Sequence, residues 1–155
     1  MLPVPRWLLP PGVMRMARIP TIEELMSREL LCARRSETFA TAYQTMVRAG
    51  IHRLPVVDEE QRFIGVLSSK EVMEPPTRPR ANHPVQRYVL RSDVTVLGDT
   101  DALTATDLML ENGLDALPVV DRSWRLIGVI TGTDLLRALR GMVAPATDGR
   151  SRSSA

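Results

Sequence analysis

At 155 residues, with 44% hydrophobic and 25% charged side chains, the chain has the make-up of one globular unit, or of two small units that share a core because ~60 residues are marginal alone. No apolar run approaches the ~20 residues needed to span a bilayer, and the single cysteine, Cys32, excludes an intrachain disulfide framework and a multi-cysteine zinc cage. The net charge is only +2, Lys70 is the one lysine, and Trp, Tyr and Phe occur twice each. A basic stripe with stacking partners is therefore missing, so neither nucleic acid nor membrane is an expected partner, and the expected location is cytoplasmic.

Residues 1–20 read as an irregular arm. The stretch MLPVPRWLLPPGV has four prolines and lacks the uninterrupted apolar segment of a secretory signal, and Met14 and Met16 follow it as alternative starts. A short strand is predicted around Leu30 to Ala33, with Ser36 as the cap of the helix that follows. Phe39, Ala42, Tyr43, Met46 and Val47 draw one face of that helix, and Gly50 ends it. An apolar strand at Leu54 to Val57, a polar turn at Asp58 to Gln61 and a strand at Phe63 to Leu67 then read as a β-hairpin. A second helix starts near Ser69 and is cut short by Pro75-Pro76, the start of a proline-rich linker over residues 75–83.

The next stretch says the same thing again. A strand at Val94 to Val96, a cap at Asp99, a helical face at Ala102, Ala105, Met109 and Leu110 and a stop at Gly113 lead to strands at Leu117 to Val120 and Leu126 to Ile130. A last helix begins near Gly132, runs from Asp134 to Arg140 and stops at Gly141. Residues 143–155 read as a disordered tail. The likeness holds at single positions: Leu54-Pro55-Val56-Val57-Asp58 returns as Leu117-Pro118-Val119-Val120-Asp121, and Ile64-Gly65-Val66 as Ile127-Gly128-Val129. An offset of 63 residues also aligns Gly50 with Gly113, Met46 with Met109 and Arg62 with Arg125 without a gap. The chain is therefore an internal repeat of a β-α-β-β-α unit, over residues 21–74 and 84–142.

Two such units, each with an LPVVD strand and the second with Gly128-Val129-Ile130-Thr131-Gly132-Thr133-Asp134, resemble the CBS-domain family, whose tandem pair is called a Bateman module. The resemblance implies an α+β fold with pseudo-twofold symmetry, small sheets packed together, helices outside and ligand clefts at the interface between the halves. It also implies a regulatory module that catalyses nothing, requires no cofactor and binds an adenosyl-type small molecule such as AMP, ADP, ATP or S-adenosylmethionine. With no catalytic or transmembrane domain in the sequence, the free-standing form of the family is expected, acting on a regulated protein that the sequence does not identify.

In the family's Thr/Ser-x-x-Asp pattern the aspartate takes the ribose and the hydroxyl contacts phosphate, which assigns Asp134, Thr131 and Thr133 to the ligand. The same four residues also read as a capping box whose sole task is to start a helix. The first repeat has Ser68-Ser69-Lys70-Glu71 instead, which puts Ser68 and Glu71 in the corresponding roles, although glutamate suits a cap better than a ribose. His52 and Arg53, just before the Leu-Pro strand, resemble a phosphate-contacting pair, and the guanidinium fork suits phosphate oxygens. Arg53 also reads as a solvated loop residue. The second repeat has Asp115-Ala116 at these positions, so phosphate recognition is expected to be asymmetric.

Enzyme readings lack residues. His52 and His83 are the only histidines, and no phosphate-cradling, dinucleotide or HExxH pattern occurs. Cys32, His52 and His83 lack the spacing of metal ligands. Gly65 and Gly128, inside strands, mark close approach of a backbone or ligand, with packing at the seam between the halves the expected cause. Leu135, Leu136, Ala138 and Leu139 give the last helix an apolar face that predicts a homodimer. The competing reading is an interaction module of the same fold that works by contact alone, with no ligand.

Overall fold

The structure is a computed structural model that describes residues 18–68, 80–91 and 94–143. Its elements are α1 (Ile22–Leu25), β1 (Ala33–Arg34), α2 (Phe39–Ala49), β2 (Arg53–Val57), β3 (Phe63–Ser68), β4 (Val96–Leu97), α3 (Ala102–Asn112), β5 (Ala116–Val120), β6 (Leu126–Thr131) and α4 (Gly132–Val143). Short 3₁₀ turns at Arg80–Asn82 and Val85–Arg87 precede β4. The expected helix after Ser69 and the two tails lie outside the described residues.

Helix boundaries follow from local chemistry. Thr38 Oγ1 accepts the Thr41 N–H at 3.3 Å to open α2, and Asp101 Oδ1 accepts the Thr104 N–H at 2.9 Å to open α3. The sequence had suggested Ser36 and Asp99, two residues too early. Both lie in a tight turn after the first strand, closed by Glu37 N–H to Arg34 O at 2.9 Å and Thr100 N–H to Leu97 O at 3.1 Å. Gly50 and Gly113 end α2 and α3 in the left-handed region, at φ 63° and 60°, where a side chain is disfavoured. Gly141 does not end α4, which runs on to Val143. It has no left-handed φ, and without that reversal a glycine is no stop.

The strands form two three-stranded sheets, β1-β2-β3 and β4-β5-β6. In each, the first strand is parallel to the second for two residues, Ala33 opposite Val56 and Val96 opposite Val119, which is why these strands are shorter and later than predicted. The hairpins are antiparallel and carry equivalent bulges, between Val56 and Val57 and between Val119 and Val120.

The halves exchange their leading segments. Ile22 and Met26 are buried in the second core, with Val96, Ala105, Met109, Leu117, Val119 and Ile130. Val85 is buried in the first core, with Phe39, Ala42, Met46, Leu54 and Leu67, and Tyr88 and Val89 pack against it. Ser27 bridges Val129 on the outer edge of β6 and Leu90 bridges Val66 on the outer edge of β3, so each sheet edge is covered by the segment leading into the other repeat. This explains the strand glycines. A Cβ at Gly65 would collide with the Leu90 carbonyl and the Val89 side chain, and one at Gly128 with Met26 and, at 3.0 Å, the Ser27 carbonyl. A third cluster (Val57, Phe63, Val66, Val120 and Leu126) joins the sheets. The hairpin turns pair through Phe63 N–H to Trp124 O and Leu126 N–H to Gln61 O, both 3.0 Å.

Candidate ligand-binding site

At the ends of the hairpins away from those turns, a cleft of about 600 Å³ opens on the pseudo-twofold seam. Equivalent positions of the two repeats face it together: Leu31 and Val94, Ile51 and Leu114, Pro55 and Pro118, Val66 and Val129. These supply apolar walls. The polar groups differ between the repeats: His52 and Arg53 from the first, and Asp115, Thr131 and Thr133 from the second, with Ser27 and Glu29 contributed by the approach to β1.

The position of each group follows from the local fold. Gly50 reverses the chain after α2, so His52 and Arg53 arrive at the mouth of β2 with exposed side chains. Gly113 does the same for Asp115 ahead of β5. Thr131 ends β6, and α4 begins at the next residue. The Gly132 N–H, at the start of α4, donates to the Asp115 carbonyl at 2.9 Å, tying the loop to the helix start. Across the seam, Arg53 Nε lies 4.0 Å from Asp115 Oδ1, and both side chains are accessible to solvent.

Sequence-predicted residues divide in three. Thr131, Thr133, His52 and Arg53 meet in the cleft. Asp134 stands beside it and closes a capping box: its Oδ2 accepts from Thr131 N–H at 3.0 Å and Thr131 Oγ1–H at 2.7 Å, and the Asp134 N–H donates to Thr131 Oγ1 at 3.2 Å. Its other oxygen, Oδ1, is 3.5 Å from Arg137 Nη1. Ser68 is buried at the end of β3, paired in register with Arg53, and does not line the cleft; Glu71 lies outside the described residues. Asp115 was noticed in the sequence only as a missing cation, although its alignment with His52 already placed it at the mouth. Glu29 and Ser27 had no signal, because they precede the first strand in an irregular stretch.

Other groups fall elsewhere. Cys32 packs against the seam cluster, and its thiol pKa is pushed up by burial, against the opposing effect of a weak contact from Gln61 Nε2 at 3.7 Å. His83 Nδ1 lies 2.7 Å from the Tyr88 hydroxyl. Among the described residues no group of three or more His, Cys, Asp and Glu side chains is placed to hold a metal ion, and no helix is long and apolar enough to cross a membrane. A second concavity, at the hairpin-turn end, is lined by Arg35, Gln86, Arg91, Phe63 and Trp124.

Comparison with known proteins fits this geometry. The profile of the CBS domain matches residues 22–75 and 85–141. A CBS domain-containing protein of Dictyostelium discoideum is 29% identical over 136 residues, covering 80% of this chain and 94% of that one. Of the solved structures, CBSX2 in complex with AMP superposes with a TM-score of 0.70 at 24% identity, over 79% of this chain and 97% of its own. The cytosolic domain of the Mg2+ channel MgtE in complex with ATP gives 0.63 at 30% identity, over 74% of this chain and 46% of its own.

Proposed function

Because the chain belongs to the CBS-domain family, we propose that it is a regulatory module whose seam cleft binds an adenine nucleotide or another adenosyl compound and passes that occupancy to a partner protein, without catalysis. The observation that carries this reading is the convergence of Thr131, Thr133, His52 and Arg53, from opposite repeats, on one apolar-walled cleft. A base finds apolar surface in Leu31, Val94, Val66 and Val129, and a phosphate finds the Arg53 guanidinium. The reading is supported by the AMP-bound CBSX2 and ATP-bound MgtE structures, which share the fold.

The closed capping box at Asp134 favours the competing contact-only module, since it gives the motif a task without any ligand. The two tasks are compatible. A carboxylate offers about four lone-pair sites. Oδ2 serves the cap, and Oδ1, with Arg137 3.5 Å away, retains capacity for ribose hydroxyls. Thermal unfolding in the presence of adenosine and AMP separates the readings. Ligand-induced stabilisation of the wild type that disappears in Asp134→Ala supports the sensor. A wild type unmoved by any adenosyl compound leaves the contact-only module.

Transmission to a partner fits an assembly through the outer helices. Of the apolar face predicted on α4, Leu136 and Leu139 are exposed, whereas Leu135 packs against the second core and Ala138 is half-buried; Met142 on α4 is exposed too, as are Leu103 and Leu110 on α3, which packs against α4. A homodimer covers such apolar surface. Sedimentation equilibrium at micromolar concentration is expected to give twice the chain mass, and a monomer throughout contradicts the assembly.

A further inference from the structure

The two repeats do not bring equal charge to the cleft. Among its described lining residues stand two carboxylates, Glu29 and Asp115, and one guanidinium, Arg53, with the His52 imidazole beside it. Asp115 is no bystander, because its Oδ1 lies 4.0 Å from Arg53 Nε across the seam. Its carbonyl accepts the Gly132 N–H at 2.9 Å, so the residue is anchored by its backbone to the start of α4 while its side chain stays exposed at the mouth. The anchor holds the Asp115 backbone at the mouth, and it also takes up an N–H at a helix start, where an anion would otherwise find a donor.

We propose that Asp115 is the specificity-determining residue of the cleft: it acts as the internal counter-ion of Arg53 and restricts the site to adenosyl ligands that carry little negative charge, namely the nucleoside, the monophosphate or a zwitterionic adenosyl compound, against nucleoside di- and triphosphates. This rests on the adenosyl reading above. One phosphate replaces Asp115 at Arg53, because the pair is loose and open to water. A second and third phosphate meet no further guanidinium among the described lining residues and stand among the carboxylates of Asp115 and Glu29. Like charges a few ångströms apart, even at a mouth open to water, separate affinities by up to about tenfold. With a basic residue at the Asp115 position, the charges would favour the longer phosphate chain.

The test is isothermal titration of the full chain with adenosine, AMP, ADP and ATP, at fixed ionic strength and without divalent metal, in wild type, Asp115→Asn and Asp115→Ala. In the wild type AMP is expected to bind at least as well as adenosine, and ADP and ATP more weakly. Both variants are expected to raise the ratio of ATP to adenosine affinity by about tenfold. Asparagine keeps the backbone anchor and the side-chain size, so a change in that ratio reports the charge. Wild-type affinity that climbs from AMP to ATP, or a ratio that stays within about twofold in both variants, overturns the proposal and leaves the adenosyl reading standing. If none of the four compounds binds any of the three proteins, both fall together.

Discussion

The two repeats share a backbone and differ in their chemistry. Their sheets have the same order, register and bulge, their first long helices, α2 and α3, end at left-handed glycines, and their leading segments cross to cover each other's outer strand. At the polar mouth of the cleft the likeness stops, since the first repeat brings His52 and Arg53 where the second brings Asp115 and Ala116. Apolar core and turn glycines are held at both copies by the need to fold as a pair. Exposed mouth positions carry no such constraint, and function is free to separate them.

The largest expected break in the comparison is at the ends of β3 and β6. With ligand at a hundred times its dissociation constant, the wild type gains ~2.7 kcal/mol of stability. Asp134→Ala is expected to lose that gain while its unliganded form loses only the ~1 kcal/mol of a helix cap. Glu71→Ala, at the equivalent position of the first repeat, is expected to keep most of the gain. Equal losses in the two variants, read by thermal unfolding with and without AMP, would mean that both repeats hold the ribose.

A smaller difference is expected at the strand glycines. A Cβ at Gly65 strikes the backbone carbonyl of Leu90, which has little freedom to move, and φ there is +151°, where a side chain is strained; at Gly128 the nearest obstacle is the flexible Met26 thioether, with the Ser27 carbonyl next at 3.0 Å. Gly65→Ala is therefore expected to cost about 2–3 kcal/mol in urea unfolding and Gly128→Ala about 1 kcal/mol. The reverse order would show that the crossing segment on β3 yields more readily than the one on β6.

The smallest effect concerns the caps. Asp101 opens α3, and the Thr104 backbone and side-chain hydrogen bonds hold its carboxyl below the usual range, while the equivalent Thr38 does not titrate. A group with a lowered folded pKa binds its proton more readily when unfolded. Its stabilisation is thus complete above the unfolded pKa and is lost as pH falls through the folded one. Asp101→Asn is expected to flatten the decline in melting temperature below about pH 4, and Thr38→Ser to leave the slope alone. An unchanged slope in Asp101→Asn would place the acid sensitivity elsewhere, with Glu24 the next candidate because Thr21 lowers its carboxyl pKa in the same way.

Much of this was legible before the structure because it is periodic. The 63-residue offset paired Gly50 with Gly113 and Leu54 with Leu117, and the hairpins and the helix stops at Gly50 and Gly113 followed from turn chemistry and apolar spacing. The caps were misplaced because Ser36 and Asp99 are good capping residues that a tight turn had already claimed. The exchange of leading segments was hidden, since Ile22 and Val85 keep the repeat spacing whichever core they enter. In the cleft, Thr131 and Thr133 were legible from the motif that opens the last helix, and His52 and Arg53 from their resemblance to a phosphate-contacting pair. Asp115 was not recognised, because its effect depends on a contact across the seam that no local pattern encodes.

The central claim is that the seam cleft holds an adenosyl ligand, and amide chemical-shift mapping of isotopically labelled protein titrated with AMP tests it most directly. The account predicts saturable shifts concentrated at Ile51 to Arg53, Leu114 to Leu117 and Thr131 to Thr133, the cleft-lining segments of both repeats. Shifts confined to Arg35, Gln86, Arg91 and Trp124 at the hairpin-turn end, or no saturable shifts at all, would contradict it.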